Sequence, residues 1–238
     1  MELTARHPSA ARQKCKPIQK TSANFPFAIS PALRYRSLMF RFVWLFFPCA
    51  WLAAHDLPEP LTPTLQAAGD NRTEVIDAWN RCPKEQKPGL AFLLQHMPQH
   101  DARQLKAAFL LENIDLAYRA RKEMPWGKDI PEEIFFNDVL PYASLDEARD
   151  PWRAKFYEMF RPIVADAPNA TAALERIHAH ITPTLGVQYN TKRRAPNQGP
   201  FESMERKMAT CTGLSILLTD VARAVCLPAR IVGIAEWT

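Results

Sequence analysis

Glycine is scarce in this chain. Its 238 residues hold 7 Gly against 21 Pro, where glycine ordinarily makes up about 7 % and proline about 5 % of residues. No two glycines stand closer than 13 positions, Gly186 to Gly199. That excludes a GxGxxG dinucleotide turn and a GxxxxGK phosphate loop, which need close glycines to bring backbone N–H groups onto phosphate. A membrane-length apolar run is also missing. Phe42 to Ala54 is thirteen uncharged, mostly apolar residues, whereas a spanning helix takes about 20. A closed set of cysteines is missing as well. Of five, Cys15 and Cys49 fall near the N-terminus and leave Cys82, Cys211 and Cys226, an odd number that closes no disulfide framework. Cys211 and Cys226 flank what reads as one helix, which puts them about 22 Å apart, beyond disulfide reach.

Basic charge is missing from the body of the chain. The net charge is +5, but residues 1–54 hold 8 of the 30 Lys and Arg and only 1 of the 25 Asp and Glu. The other 184 residues carry 22 basic and 24 acidic side chains. A nucleic-acid footprint needs basic residues clustered on the domain. The one such cluster, Lys192-Arg193-Arg194, reads as a solvated loop, so no nucleic-acid partner is expected.

The apolar stretch 42–54, with Arg41 in front, fits the core of a secretory signal. A cut after Ala54 has a small residue at −1 but Leu52 at −3, so an uncleaved anchor stands as the alternative. Met39 precedes this core by three residues. Residues 1–38 read either as an extension before the true start or as a disordered basic N-terminus. The expected order is then an extension (1–38), a signal peptide or anchor (39–54), a Pro-rich tether (55–70), a helical region (71–185) and a final segment (186–238). The protein is expected to be exported, periplasmic or extracellular, and to meet a membrane only through an uncleaved leader.

Apolar residues make up 47 % and charged residues 23 %, enough for a packed core. A first helix is predicted from Asn71 or Thr73 to before Pro83. Asp101 can cap the next, whose Leu110, Ile114, Ala117 and Tyr118 share a face. Ser144-Leu-Asp-Glu147 has capping-box spacing, and Asp150-Pro151 is a second start signal. Trp152, Phe156, Met159 and Phe160 follow at helical spacing. Asn169 starts a helix carrying Leu174, Ile177 and Ile181. Residues 182–207 read as loop. Thr212 to Val225 reads as a buried helix, stopped by Leu227-Pro228. Ile231 to Ala235 reads as a buried strand.

Cys211 stands at the first turn of that helix. Unpaired N–H groups and the helix dipole favour an anion there, so its thiol is the candidate nucleophile. Gly213 is expected to leave space beside the sulfur for a substrate carbonyl. Residues 209–234, ATCTGLSILLTDVARAVCLPARIVGI, resemble the core of the transglutaminase-like superfamily: a nucleophilic Cys opening a helix, an Arg-Ala-x-Gly-Ile-Pro-Ala-Arg-like turn, then a strand. Arg223-Ala224 and Leu227-Pro228-Ala229-Arg230 match the turn, with Cys226 where glycine is common and Leu227 in place of isoleucine. Bacterial secreted members resemble the chain further upstream, at Phe136 to Tyr142, Glu147-Ala-Arg149 and Trp152-Arg153.

The resemblance implies an α+β fold, a helical accessory region followed by an incomplete papain-like core of nucleophile helix plus first strand. It implies that the cysteine helix packs on an antiparallel sheet whose later strands supply a His and an Asp. The thiolate would attack an amide carbonyl and form a thioester, with peptidase, amidase or acyl-transfer outcomes. The substrate would be a peptide or protein amide. No cofactor is implied, since a thiol, a His and an Asp suffice. However, all six histidines precede Cys211. The chain is therefore expected to be either a fragment or catalytically dead, and in either case inactive alone. The rival class is a secreted, non-catalytic helical interaction module.

Other signals are weaker. His96 and His100 have metal-pair spacing, but Pro98 breaks the helix between them. His178 and His180 point to different helix faces. Glu132-Glu133 reads as an exposed helix start. No metal site is expected. Trp237 reads either as a groove-lining residue for substrate or as an aromatic packed at the strand end.

Overall fold

The computed structural model describes residues 57–233. The extension, the leader, Ile234 and Trp237 lie outside them. The fold is mostly helical, with a small sheet. Its α-helices are α1 (Thr62–Ala68), α2 (Arg72–Arg81), α3 (Lys87–Gln95), α4 (Gln99–Ala102), α5 (Ala107–Glu123), α6 (Glu132–Asp138), α7 (Trp152–Val164), α8 (Ala170–Leu185), α9 (Pro200–Arg206) and α10 (Cys211–Ala224). Strands β1 (Gln188–Tyr189) and β2 (Met208–Ala209) pair in parallel, with Gln188 opposite Met208 and Tyr189 opposite Ala209. Among the described residues no helix is long and apolar enough to cross a membrane.

Periodicity placed the long helices well. Leu110, Ile114 and Ala117 are buried on α5, and Trp152, Phe156 and Phe160 on α7. Asn169 caps α8 by accepting from the Ala172 N–H at 2.9 Å. One apolar core runs from Leu61 to Leu227, continuous across residue 185. At its centre α10 packs against α7, α8 and α5. Each fully buried Phe or Leu on these faces contributes roughly 1.5–3 kcal/mol.

Several expectations need correction. Residues 59–68, read as a tether, form a 3-10 turn and α1, because Leu61 is drawn into the core. Asp101 does not cap α5. It lies buried in α4, where its carboxylate takes Tyr142 OH and Arg149 Nε, each at 3.0 Å. Instead Glu74 of α2 accepts from the Ala107 N–H at 2.9 Å. Glu147 does accept from Ser144 N–H at 2.7 Å, but no helix follows, and the same carboxylate takes Leu145 N–H and turns the chain. Leu174 is 46 % exposed, while Ile177 on the same helix is buried. The 182–207 loop contains the end of α8, β1 and α9, and 190–199 is the longest stretch in it without regular structure. The expected strand at 231–235 is not formed over 231–233, where Val232 is 85 % exposed and no neighbour pairs with it. The described sheet is parallel, not antiparallel. The link from β1 to β2 runs through α9, a crossover that returns the chain in its original direction.

Candidate active site

The site is built where β2 hands the chain to α10. Ala209 pairs with Tyr189 on β1, Thr210 is extended (φ −80°, ψ −178°), and the helix begins at Cys211. The Thr210 hydroxyl works in two directions. It accepts from the Gly213 N–H at 3.3 Å, capping α10, and donates to Pro196 O at 3.0 Å, pinning the 190–199 loop. Replacing Thr210 by alanine is expected to cost about 1 kcal/mol from the lost cap, a drop of roughly 2–4 °C in Tm. Thr210→Ser should stay near wild type, and thermal melts of both variants check this.

Cys211 is exposed, whereas Cys82 and Cys226 are buried and all three are free thiols. Burial pushes the Cys82 thiol up to about 11 and the Cys226 thiol up to about 12. Both are therefore held neutral at ordinary pH, and among the described cysteines only Cys211 meets solvent.

Gly213 does not open space for a substrate. A Cβ there would stand 2.9 Å from Ala209 Cβ, so the glycine lets the first turn of α10 press onto β2. Its role is close packing behind the sulfur. Gly199 works similarly, since a Cβ there would come within 2.7 Å of Asp150 Oδ2. That carboxylate accepts from the Phe201 N–H at 2.9 Å at the start of α9.

The far end of α10 shows why its turn takes those residue types. Arg223 is buried. Its Nε donates to Ala229 O at 3.0 Å and Asp138 O at 3.3 Å, and its Nη1 to Ala143 O at 3.1 Å. Cys226 holds φ +59°, a left-handed conformation that glycine adopts without cost. Ala229 N–H returns to Asp138 O at 2.9 Å, and Arg230 pairs with Asp138 at 3.0 Å. Arg153 of α7 completes the anchor. Its guanidinium reaches Asn113 Oδ1 at 2.8 Å, Arg223 O at 3.1 Å and the carbonyls of Val139, Leu140 and Pro141 at 3.0–3.2 Å. Burial, with the like charge of Arg223, lowers this group to about 9. It therefore stays a charged donor at neutral pH.

Residues 158–237 match the family model of the transglutaminase-like superfamily. The chain carries a transglutaminase-like segment. No curated protein and no solved structure is significantly similar to the chain. The transglutaminase-like segment begins inside α7 and takes in α8, the 190–199 loop, α9, the sheet and α10.

The other sequence candidates are not gathered around Cys211. His96 Nδ1 lies 2.8 Å from Phe92 O, and His180 Nδ1 lies 2.8 Å from Arg176 O. His100 sits beside Asp101 at 3.1 Å, and His178 is exposed on α8. Among the described residues none of these histidines hydrogen-bonds to Cys211, and no three His, Cys, Asp or Glu side chains gather to hold a metal. Glu132 and Glu133 are exposed at the start of α6. Trp237 lies outside the described residues.

Sequence reasoning named Arg153 and Arg223 only as residues of the resemblance, without their role as staples, and it missed Thr210 and Asp220. The last is fully buried on α10, with neither oxygen partnered among the described residues. Burial pushes its carboxyl well up, against the opposing pull of Arg223. The Thr-Cys step was a readable cap signal. The remote carbonyl partners of Arg223 lie 80 to 85 residues away, and Arg153 reaches Arg223 O 70 residues on; no local pattern reports them.

Proposed function

We propose that the protein is a transglutaminase-like cysteine enzyme acting on peptide or protein amides, with Cys211 as the nucleophile. The observation that carries this reading is the exposed thiol on the first residue of α10, behind a Thr210 cap and inside the matched segment. Unpaired N–H groups at that helix start favour negative charge. The Cys211 sulfur adds to the acyl carbon, the amine leaves with a proton, and a thioester remains for water or an amine to resolve.

A His and an Asp to move that proton would come from outside residues 57–233. The site as residues 57–233 build it is accordingly expected to accept an acyl group from an activated ester yet not to turn over a simple amide. The thirteen-residue apolar stretch behind Arg41 supports export, as a cleaved signal or an anchor. The experiment is acylation with p-nitrophenyl acetate. The reading predicts a burst of about one equivalent of p-nitrophenol, as a single activated nucleophile gives, and its loss in Cys211→Ala. A burst that survives Cys211→Ala returns the chain to the class of non-catalytic interaction modules.

A further inference from the structure

The cluster Lys192-Arg193-Arg194 lies on the loop that is pinned to the nucleophile helix. Pro196 O receives the Thr210 hydroxyl at 3.0 Å. Asn190 N–H donates to Ala209 O at 2.8 Å, and Asn190 Oδ1 turns the chain by accepting from Lys192 N–H at 2.8 Å. Gln198 Nε2 donates to Met208 O at 3.4 Å. Both ends of the loop are therefore fastened to the residues just before Cys211. Lys192 is two residues from Asn190, and Cys211 two residues from Ala209, the partner of Asn190; at about 4 Å of backbone per residue, the backbone of Lys192 lies within about 20 Å of Cys211, inside one Debye length at 0.01 M salt and about two at 0.1 M.

The three cations differ in what they hold. Arg194 grips Glu202 with two bonds of 2.7 Å, and Glu202 is shared with Arg206 at 2.8 Å. Arg193 Nη1 reaches only Thr191 O, at 3.1 Å. Lys192 is exposed. Neither Lys192 nor Arg193 has an ion pair among the described residues. Two other carboxylates touch the loop: Asp146 bonds Asn197, and Asp150 packs against Gly199. Residues 190–215 hold five basic and two acidic side chains, against 17 basic and 20 acidic over the rest of 57–233. Over 57–233 the charges balance, and the basic surplus sits in the sequence around Cys211.

We propose that this loop selects the acyl donor: Lys192 and Arg193 draw a carboxylate-bearing segment, such as an acidic peptide, onto Cys211. The inference rests on Cys211 being the nucleophile. Opposite charges raise the local concentration of substrate and orient its approach.

The test compares alkylation of the full chain by iodoacetate and by iodoacetamide at low salt, read on the peptide that contains Cys211. Each reagent forms one S–CH2 bond and releases iodide, so the two differ only in charge. The double variant Lys192→Glu/Arg193→Glu should lower the iodoacetate-to-iodoacetamide rate ratio about twofold to fivefold, as a change of four charges at about 10–20 Å in water of low ionic strength would. About 0.5 M NaCl should erase the difference from wild type. The remote Lys84→Glu should leave the ratio alone. A ratio unmoved by the double reversal, or moved equally by Lys84→Glu, overturns the assignment to this loop while leaving the nucleophile standing. A Cys211 that neither reagent alkylates removes the nucleophile and the donor selection together.

Discussion

Arg153→Ala is expected to cost about 3–5 kcal/mol, the range for breaking a buried, fully engaged charge site, and so to lower Tm by roughly 6–20 °C. The side chain is 3 % exposed, and it serves five acceptors from three places. These are Asn113 on α5, the turn 139–141 after α6, and Arg223 O near the end of α10. Alanine leaves Asn113 Oδ1 and Val139 O without a donor among the described residues and strips one donor each from Leu140 O, Pro141 O and Arg223 O, which keep Asn113 Nδ2, Arg223 Nη1 and Cys226 N–H; leaving a buried acceptor unpaired costs more than a made hydrogen bond gains. Lysine should not rescue it, because an ammonium cannot spread donors as the planar guanidinium does. Thermal unfolding followed by circular dichroism measures the effect. A melting temperature within about 2 °C of wild type, under 1 kcal/mol for a domain of this size, would show that the three segments hold together without this group. The same staple explains why the transglutaminase-like segment cannot be viewed apart from the helices before it: α10 is fastened to α5 and to the α6 turn through one guanidinium.

The second large effect is chemical. At pH 8, iodoacetamide should modify Cys211 at least about 100-fold faster than Cys82 or Cys226. Thiols held at about 11 and about 12 by burial are ionised to only about one part in 10³ and 10⁴ at that pH, and the thiolate is the reacting form. The sign follows from the raised values. Labelling of Cys82 and Cys226 should climb roughly tenfold per pH unit between pH 8 and 10 as each thiol approaches its ionisation. Peptide mass spectrometry after timed quenching reads all three sites. Equal rates at Cys211 and Cys226 at pH 8 would mean that the turn after α10 opens freely, contrary to the packing described.

The nucleophile helix was legible to within one residue at each end. Leu217, Val221 and Val225 recur on one buried face, and Pro228 forbids continuation. These are local signals and they agreed; the Thr210 cap went unread. The elements that position the thiol were less legible because remote side chains make them. Helix α9 is seven residues long, too short for its own periodicity, and Asp150 satisfies its first turn from 51 positions away. The same Asp150 looked like the start signal of α7, and Pro151 does precede that helix, but the carboxylate serves another one. Two-residue strands leave no alternation to find. Gly213 looked like room for a substrate, since an absent side chain reads as space until its neighbour is known. The neighbour is Ala209. Cys226 was legible only through the resemblance: its φ of +59° explains why glycine suits that position, and its buried thiol explains how a cysteine can be held there.

The central claim is that Cys211 carries the acyl group. The most direct measurement is to treat the full chain with p-nitrophenyl acetate, quench in acid, digest, and locate the acetyl group by mass. The account predicts one acetyl on the peptide containing Cys211, removed by neutral hydroxylamine as a thioester is, and absent from Cys211→Ala. Acetylation confined to lysines, or a Cys211 peptide that stays unmodified while the burst persists, would contradict it.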